Sequence, residues 1–182
     1  MEAGSTSKPM LVGMNNPQGN KPLVPYPTNC TGYRIYQMLN AKTGAFRIDY
    51  MNSFERLNLV DGHAWSAGAA RANREAVLTR LRGRTAVLLG RAVWQALALP
   101  PTAPGLSVRP MEIRGGDACV EGEWFYLPHP SGLNRWYNDP ENVDLAATLL
   151  AKLYTEYRSE VGLPLTSRRT DESQDHQEGA AS

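Results

Sequence analysis

The chain has 182 residues, of which 42% are hydrophobic and 20% are charged. This length and balance predict one soluble globular domain with a full core and exclude two ordinary domains. No apolar run approaches the ~20 residues that a membrane-spanning helix needs, and residues 1–9 contain no apolar segment typical of a secretory signal. The two cysteines, Cys30 and Cys119, are therefore expected to be reduced, in a cytoplasmic protein.

The formal net charge of +1 does not by itself indicate a nucleic-acid partner. Residues 167–182 contain four acidic residues and two arginines, which leaves 17 basic and 14 acidic residues, or +3, in the rest of the chain. This mild basic bias gives weak support for a phosphate-bearing partner. A solvated helix face is the simpler explanation for a cluster of six arginines: Arg71, Arg74, Arg80, Arg82, Arg84 and Arg91.

Short apolar runs alternate with helical patterns between residues 10 and 163, flanked by a polar lead-in (1–9) and a polar tail (164–182) that are expected to be disordered. Strands are predicted over 10–13, 54–60, 85–89 and 123–127. Helices are predicted over 32–41, 66–82, 91–99 and from 139 to near 162. This alternation predicts an α/β domain, a three-layer sandwich with a mostly parallel, four-stranded central sheet flanked by helices.

The last predicted helix has the clearest pattern. Asp139 is a typical N-cap residue and Pro140 suits the first helical position. The apolar side chains that follow recur at steps of three and four, which indicates one buried stripe: Val143, Ala146, Ala147, Leu150, Leu153, Tyr154 and Tyr157. Because parallel sheets bind ligands beyond the carboxyl ends of their strands, the residues that follow each strand are the candidates for function.

The first such segment is Gly13-Met14-Asn15-Asn16-Pro17, directly after the first strand. Asparagines held by a following proline can position a water or the polar edge of a ligand. Taken alone, the segment favours an ordinary turn, because Asn, Pro and Gly are turn formers. The proline-rich loop over residues 15–31 is long for a small domain, and loops of that length usually carry function.

The second segment begins at His129, between Pro128 and Pro130, after the last strand. The two prolines restrict its backbone, so the imidazole would be held rigidly where it can stabilise charge, although a lone histidine is more often structural. Leu133 in the following Gly-Leu-Asn turn has no evident structural reason to be there.

The third candidate is Asn58, an amide inside an apolar strand, which must be hydrogen-bonded. It either ties down a loop or recognises the polar edge of a ligand. No metal site is expected, because His63, His129 and His176 are far apart and the two cysteines add nothing. Phosphate-loop and dinucleotide motifs are also absent from the sequence, so no cofactor is expected.

Together these segments resemble the uracil-DNA glycosylase superfamily, which has a Gly-x-Asn/Asp-Pro motif after its first strand and a His/Asn-Pro-Ser motif after its last. Here the second motif, His129-Pro130-Ser131-Gly132-Leu133-Asn134-Arg135, is similar to the Asn-Pro-Ser-Gly-Leu-Ser-Arg of mismatch-specific glycosylases, with histidine first as in the classical and single-strand-selective groups. Leu88-Leu89-Gly90-Arg91 also matches a recurring segment, and the similarity spans residues 10–160. The first motif contains one extra residue, so alignment on its Asn-Pro pair makes Asn16 the water-positioning residue, while alignment on its glycine makes it Asn15. We prefer Asn16, because the residue before the proline has this role across the superfamily.

The resemblance implies a metal-free, monomeric enzyme that flips a uracil-like or modified pyrimidine out of DNA and hydrolyses its glycosidic bond. It assigns catalysis to Asn16 and His129, and base binding to Asn58, Tyr26 and Asn15. Leu133 resembles the wedge that fills the gap in the duplex, and Ser131, Asn134 and Arg135 would meet DNA phosphates. DNA repair, phage defence and base modification are all compatible roles. The alternative is a catalytically silent DNA-binding or base-modification module on the same fold.

Overall fold

The computed structural model describes residues 7–16, 21–62, 64–108 and 122–165. Predictions that concern Pro17, His63, Cys119, the first six residues and the tail beyond residue 165 lie outside these ranges.

The described chain forms one five-stranded sheet in the order β2-β1-β3-β5-β4. Four of these strands are parallel, which confirms the predicted sheet: β1 (Met10–Gly13), β2 (Glu55–Asn58), β3 (Arg84–Leu89) and β5 (Gly122–Leu127). The fifth, β4 (Ser107–Val108), runs antiparallel along the edge of β5. The sequence analysis missed it because two residues are too few to show any periodicity.

Helices cover both faces of the sheet, because successive strand residues point to opposite sides. On one face, Leu11, Val87 and Phe125 pack with α1 (Thr31–Thr43), α2 (Arg47–Ser53) and α6 (Pro140–Glu160). On the other face, Met10, Ala86 and Trp124 pack with α3 (Ala67–Ala72), α4 (Arg74–Leu81) and α5 (Arg91–Ala96). The predicted three-layer α/β sandwich is thus confirmed.

Several element boundaries differ from the prediction. The helix expected over 66–82 is two helices, α3 and α4, separated at Asn73. The Asn73 side chain donates a hydrogen bond to the carbonyl of Leu59 (2.9 Å), so a contact with another part of the chain accompanies the break. Helix α2 was not predicted, strand β2 is shorter than the expected 54–60, and α5 ends at Ala96 rather than near residue 99.

Helix α6 follows its prediction closely. The Asp139 side chain accepts a hydrogen bond from the backbone N–H of Glu141 (2.9 Å), which is the expected cap. Much of the predicted stripe is buried: Ala146, Ala147, Leu150, Leu153 and Tyr154. Arg158 is also buried and pairs with Asp49 (3.1 Å), so an ion pair joins the end of α6 to α2.

Arginines of the predicted cluster form ion pairs within the fold. Arg80 and Arg84 both pair with Glu55, each at 2.6 Å, at the edge of the sheet where the parallel strands begin. The hydrogen bond from Arg84 is the main reason that the pKa of Glu55 lies below its usual value. Across the described ranges, every helix is too short or too polar to cross a lipid bilayer.

Candidate active site

A pocket of about 460 Å³ lies beyond the carboxyl ends of the parallel strands. Residues after β1 and residues after β5 border it from two sides, and the loop over residues 21–30 with the start of α1 completes its wall. The side chains that the sequence analysis singled out and that border this pocket are Asn15, Asn16, Tyr26, His129 and Ser131. The volume falls within the range of ordinary small-ligand pockets, roughly 300–1,000 Å³.

The segment after β1 contributes Asn15 and Asn16. The side-chain amide of Asn16 donates a hydrogen bond to the carbonyl of Lys21 (2.7 Å). This bond orients the Asn16 side chain at the pocket wall and joins the segment after β1 to the loop over residues 21–30.

The wall formed by the loop is anchored from several directions. The hydroxyl of buried Tyr50 donates to the carbonyl of Leu23 (2.8 Å), and Leu23 itself has a left-handed backbone with φ of 49°. The thiol of Cys30 donates to the carbonyl of Val24 (3.1 Å), and its sulfur accepts from the N–H of Tyr33 at the start of α1. These bonds join the loop to α1 and α2, so the pocket wall is pre-formed in the absence of a ligand.

Gly32 lets this loop approach α1 closely. An ideal Cβ at this position would lie 2.2 Å from the Val24 carbonyl oxygen and 2.4 Å from that of Leu23. Those atoms belong to the backbone and cannot swing aside, so the contact requires a residue without a side chain.

Tyr26 is the exposed aromatic side chain at the pocket, with 53% of its surface accessible. An exposed ring beside a pocket is suited to stacking on a planar ligand.

His129 is half-buried at the end of β5. Burial holds the pKa of its imidazole below the ordinary value, so the ring is neutral at pH 7. Its carbonyl accepts hydrogen bonds from the Ser131 N–H (2.8 Å) and the Asn134 amide (2.9 Å). The carbonyl before it, of Pro128, accepts from the Tyr137 hydroxyl (2.7 Å).

The predicted DNA-contacting residues lie together in the loop after His129. Leu133 is 94% exposed, and Arg135 is an exposed residue at the start of a short 3-10 helix, Arg135–Asn138. Asn134 differs from Leu133 and Arg135 because both its amide nitrogen and its amide oxygen make hydrogen bonds within this segment. Its nitrogen donates to His129 and its oxygen accepts from the Trp136 N–H (3.1 Å).

Asn58 is buried at the end of β2 and is not among the residues that border the pocket. Its amide oxygen is buried and has no hydrogen-bond partner among the described residues. The oxygen and the side chain of Leu23, which does border the pocket, both lie close to the position that a Cβ on Gly13 would occupy, at 2.6 and 3.3 Å. The structure therefore brings Asn58 close to Leu23, one of the residues that border the pocket.

The sequence analysis did not select Lys21, Cys30 and Thr31, which also border the pocket. Their positions depend on the path of the loop, which cannot be predicted from a local sequence pattern. Among the described residues around the pocket there is no Asp or Glu. The described ranges also contain no group of three or more His, Cys, Asp or Glu side chains placed to hold a metal ion.

Neither a family model nor a curated protein sequence matches this chain. The function is therefore inferred from the chemistry of the site itself.

Proposed function

We propose that this chain is a monofunctional DNA glycosylase that flips a uracil-like or modified pyrimidine out of DNA, hydrolyses its glycosidic bond and leaves an abasic site. The observation that carries the proposal is the shared pocket. Asn15 and Asn16, after the first parallel strand, and His129 and Ser131, after the last, border one cavity although most of the chain separates them.

His129 would assist departure of the base. Breaking the glycosidic bond leaves its electron pair on the base, so negative charge develops on the base carbonyl oxygen. A neutral imidazole donates one N–H, and a donor aimed at developing charge in a partly dry site stabilises the transition state. The lowered pKa of His129 agrees with a neutral donor.

Asn16 would hold the water that attacks the sugar. As the base leaves, C1′ of the sugar becomes cationic, and the oxygen of water forms the new bond while one proton is released to solvent or to the departing base. An amide is too weak a base to remove that proton in advance, so its contribution is positioning. The bond between Asn16 and the Lys21 carbonyl would keep its side chain in place during the reaction.

The remaining roles follow from exposure. Tyr26 would stack on the flipped base, and the almost fully exposed Leu133 would fill the gap that the base leaves in the duplex. Arg135 and Ser131 are available to phosphates at the mouth of the pocket. We further propose that the protein acts as a monomer in the cytoplasm, in DNA repair, phage defence or base modification.

One observation favours a second candidate, a catalytically silent DNA-binding or base-modification module. No carboxylate borders the described part of the pocket, so a strong general base is lacking there. Such a module would bind DNA and flip a base but leave the glycosidic bond intact.

The decisive experiment measures abasic-site formation under single-turnover conditions. The substrates are single-stranded and duplex oligonucleotides that contain uracil or a panel of modified pyrimidines. We expect His129→Ala and Asn16→Ala to slow excision roughly a hundredfold to a thousandfold with little loss of DNA affinity. Asn52→Ala, which removes an exposed amide on α2, is the matched control and should act like wild type.

The outcomes separate the hypotheses. If Asn15→Ala is inactive and Asn16→Ala is active, the water-positioning role moves by one residue and the proposal stands. If DNA binds but no substrate in the panel is cleaved, the silent module replaces the glycosylase. If both His129→Ala and Asn16→Ala keep the wild-type rate, the catalytic assignment is wrong.

A further inference from the structure

The backbone on both sides of His129 is held by side chains from the segment that follows it. The Pro128 carbonyl accepts from the Tyr137 hydroxyl (2.7 Å), and the His129 carbonyl accepts from the Asn134 amide nitrogen (2.9 Å). Two successive carbonyl groups, one before and one after the histidine Cα, are thus each fixed by a side-chain donor.

The segment around His129 is short of backbone donors, although the Ser131 N–H also bonds the His129 carbonyl (2.8 Å). Pro128 and Pro130 have no backbone N–H, so the segment loses two of the groups that normally tie a strand end to its neighbours. Tyr137 is partly buried, and burial raises the pKa of its hydroxyl, so the hydroxyl keeps its proton and acts as a donor throughout the ordinary pH range.

Gly90, which follows β3, also lies close to His129. A Cβ on Gly90 would lie 3.0 Å from the Cβ of His129, and the Gly90 N–H donates to the Leu127 carbonyl (2.8 Å). His129 is therefore restrained both by the close backbone of Gly90 and by the segment that Tyr137 and Asn134 bond.

We propose that Tyr137 and Asn134 are positioning residues that fix His129 at the pocket. The inference rests on the proposed function in one respect, which is that His129 is the group that contacts the base. It also changes the expected role of Asn134, since an amide engaged at both ends would have to release His129 or Trp136 to contact a phosphate.

Three variants test the inference. Tyr137→Phe removes one hydroxyl and keeps the ring that packs on Trp136 (4.7 Å between centroids). Asn134→Ser keeps an oxygen that can accept from the Trp136 N–H but is too short to reach the His129 carbonyl. Tyr36→Phe is the matched control, because its hydroxyl has no hydrogen-bond partner in the described part of the chain.

The first measurement compares the single-turnover excision rate of each variant with its affinity for DNA. Because a small displacement of a catalytic group costs up to ~100-fold, we expect Tyr137→Phe and Asn134→Ser to slow excision by roughly tenfold to a hundredfold. DNA affinity should change little, and Tyr36→Phe should match wild type. Thermal melting identifies any variant that does not fold, in which case the other positioning variant decides.

The second measurement does not require activity. The imidazole resonances of the three histidines are followed by NMR across pH, with His129 assigned through His129→Gln. We expect the His129 titration midpoint to move up toward its ordinary value in Tyr137→Phe and Asn134→Ser, because a looser segment admits water, and to stay in place in Tyr36→Phe.

The two measurements distinguish failure of the glycosylase proposal from failure of the positioning inference. If wild type excises no base but the His129 signal moves in the two variants, the glycosylase proposal fails and the positioning inference stands. If both variants keep the wild-type His129 signal, or if Tyr36→Phe moves it equally, the positioning inference is overturned whatever the enzyme does.

Discussion

Gly13 faces Asn58 across the parallel pair β1–β2, and an ideal Cβ on Gly13 would lie 2.6 Å from the amide oxygen of Asn58. The space that a side chain at residue 13 would occupy is already used by this buried amide. The glycine that opens the first motif therefore accommodates Asn58 as well as the turn that follows it.

Gly13→Ala should push the Asn58 amide out of its position. Overpacking of this kind costs about 1–3 kcal/mol of the free energy of unfolding. Asn58→Ala removes the obstructing oxygen, so the double variant should be less destabilised than the sum of the two single variants. Chemical denaturation of all four proteins measures this coupling, and simple additivity would contradict the contact.

Gly32→Ala should be among the most damaging single changes in α1. The new methyl group would meet the backbone oxygens of Leu23 and Val24, so either the pocket wall or the helix must move. We expect a loss of about 3 kcal/mol in the free energy of unfolding. Gly68→Ala is the matched control, since Gly68 is also the second residue of its helix and a Cβ there meets nothing closer than 3.8 Å. Alanine should leave this helix unchanged or stabilise it by about 0.5–1 kcal/mol, and equal losses at both sites would refute the close approach.

The lowered pKa of His129 predicts the sign of a pH effect on stability. In the unfolded chain the imidazole titrates near its ordinary pKa of about 6.5, and in the folded protein it titrates lower because burial disfavours its charged form. Between these two values the unfolded state binds more protons, so stability falls as the pH falls. Denaturant titrations of wild type and His129→Gln should therefore diverge in slope between pH 6.5 and the folded pKa. Parallel curves would show that the ring is not buried as described.

Arg135 should contribute to DNA binding through a phosphate. Removing one such contact lowers the salt dependence of log affinity by about one unit of slope. Arg135→Ala should therefore weaken binding at low salt and flatten the salt dependence. Arg82→Ala is the control, because Arg82 is exposed just before β3, at the opposite edge of the sheet from the pocket. If the two variants behave alike, Arg135 makes no special contact with DNA.

Lys21 provides a test of the monofunctional mechanism. This amine borders the pocket, so an enzyme that cut the strand through a covalent imine would have a nucleophile in reach. We expect borohydride to trap no enzyme–DNA adduct and excision to survive a metal chelator. A trapped adduct that disappears in Lys21→Arg would instead assign Lys21 to a covalent step.

The sheet could be predicted from sequence because its strands are short apolar runs, and β1, β3 and β5 fall within one residue of their predicted bounds. Helix α6 was predictable from its cap and its stripe. Helix α2 was not, since its seven residues are too few to show a helical period. The split between α3 and α4 is accompanied by a bond from Asn73 to Leu59, a contact that no window of local sequence contains.

The candidate site also contains some features that could be predicted from sequence and others that depend on distant contacts. Residues that follow parallel strands meet at one edge, so the meeting of Asn15 and Asn16 with His129 could be expected from topology alone. The loop over residues 21–30 could not, because its path depends on distant partners such as Tyr50 and on the close approach at Gly32. The close approach of the Asn58 oxygen to Gly13 could not be predicted either, because it depends on how β1 and β2 pair.

The order of the strands has a consequence for how quickly the chain can fold. β1 leaves the ribosome first, yet both of its neighbours, β2 and β3, come after crossovers that contain helices. Met10, Leu11 and Val12 have no accessible surface once the sheet is complete, so all three remain exposed until those distant partners dock. Closing such long loops before any pairing is gained favours refolding in milliseconds to seconds rather than microseconds. Because β3 lies between β1 and β5, the two strand ends that border the pocket meet only when β3 has paired with both.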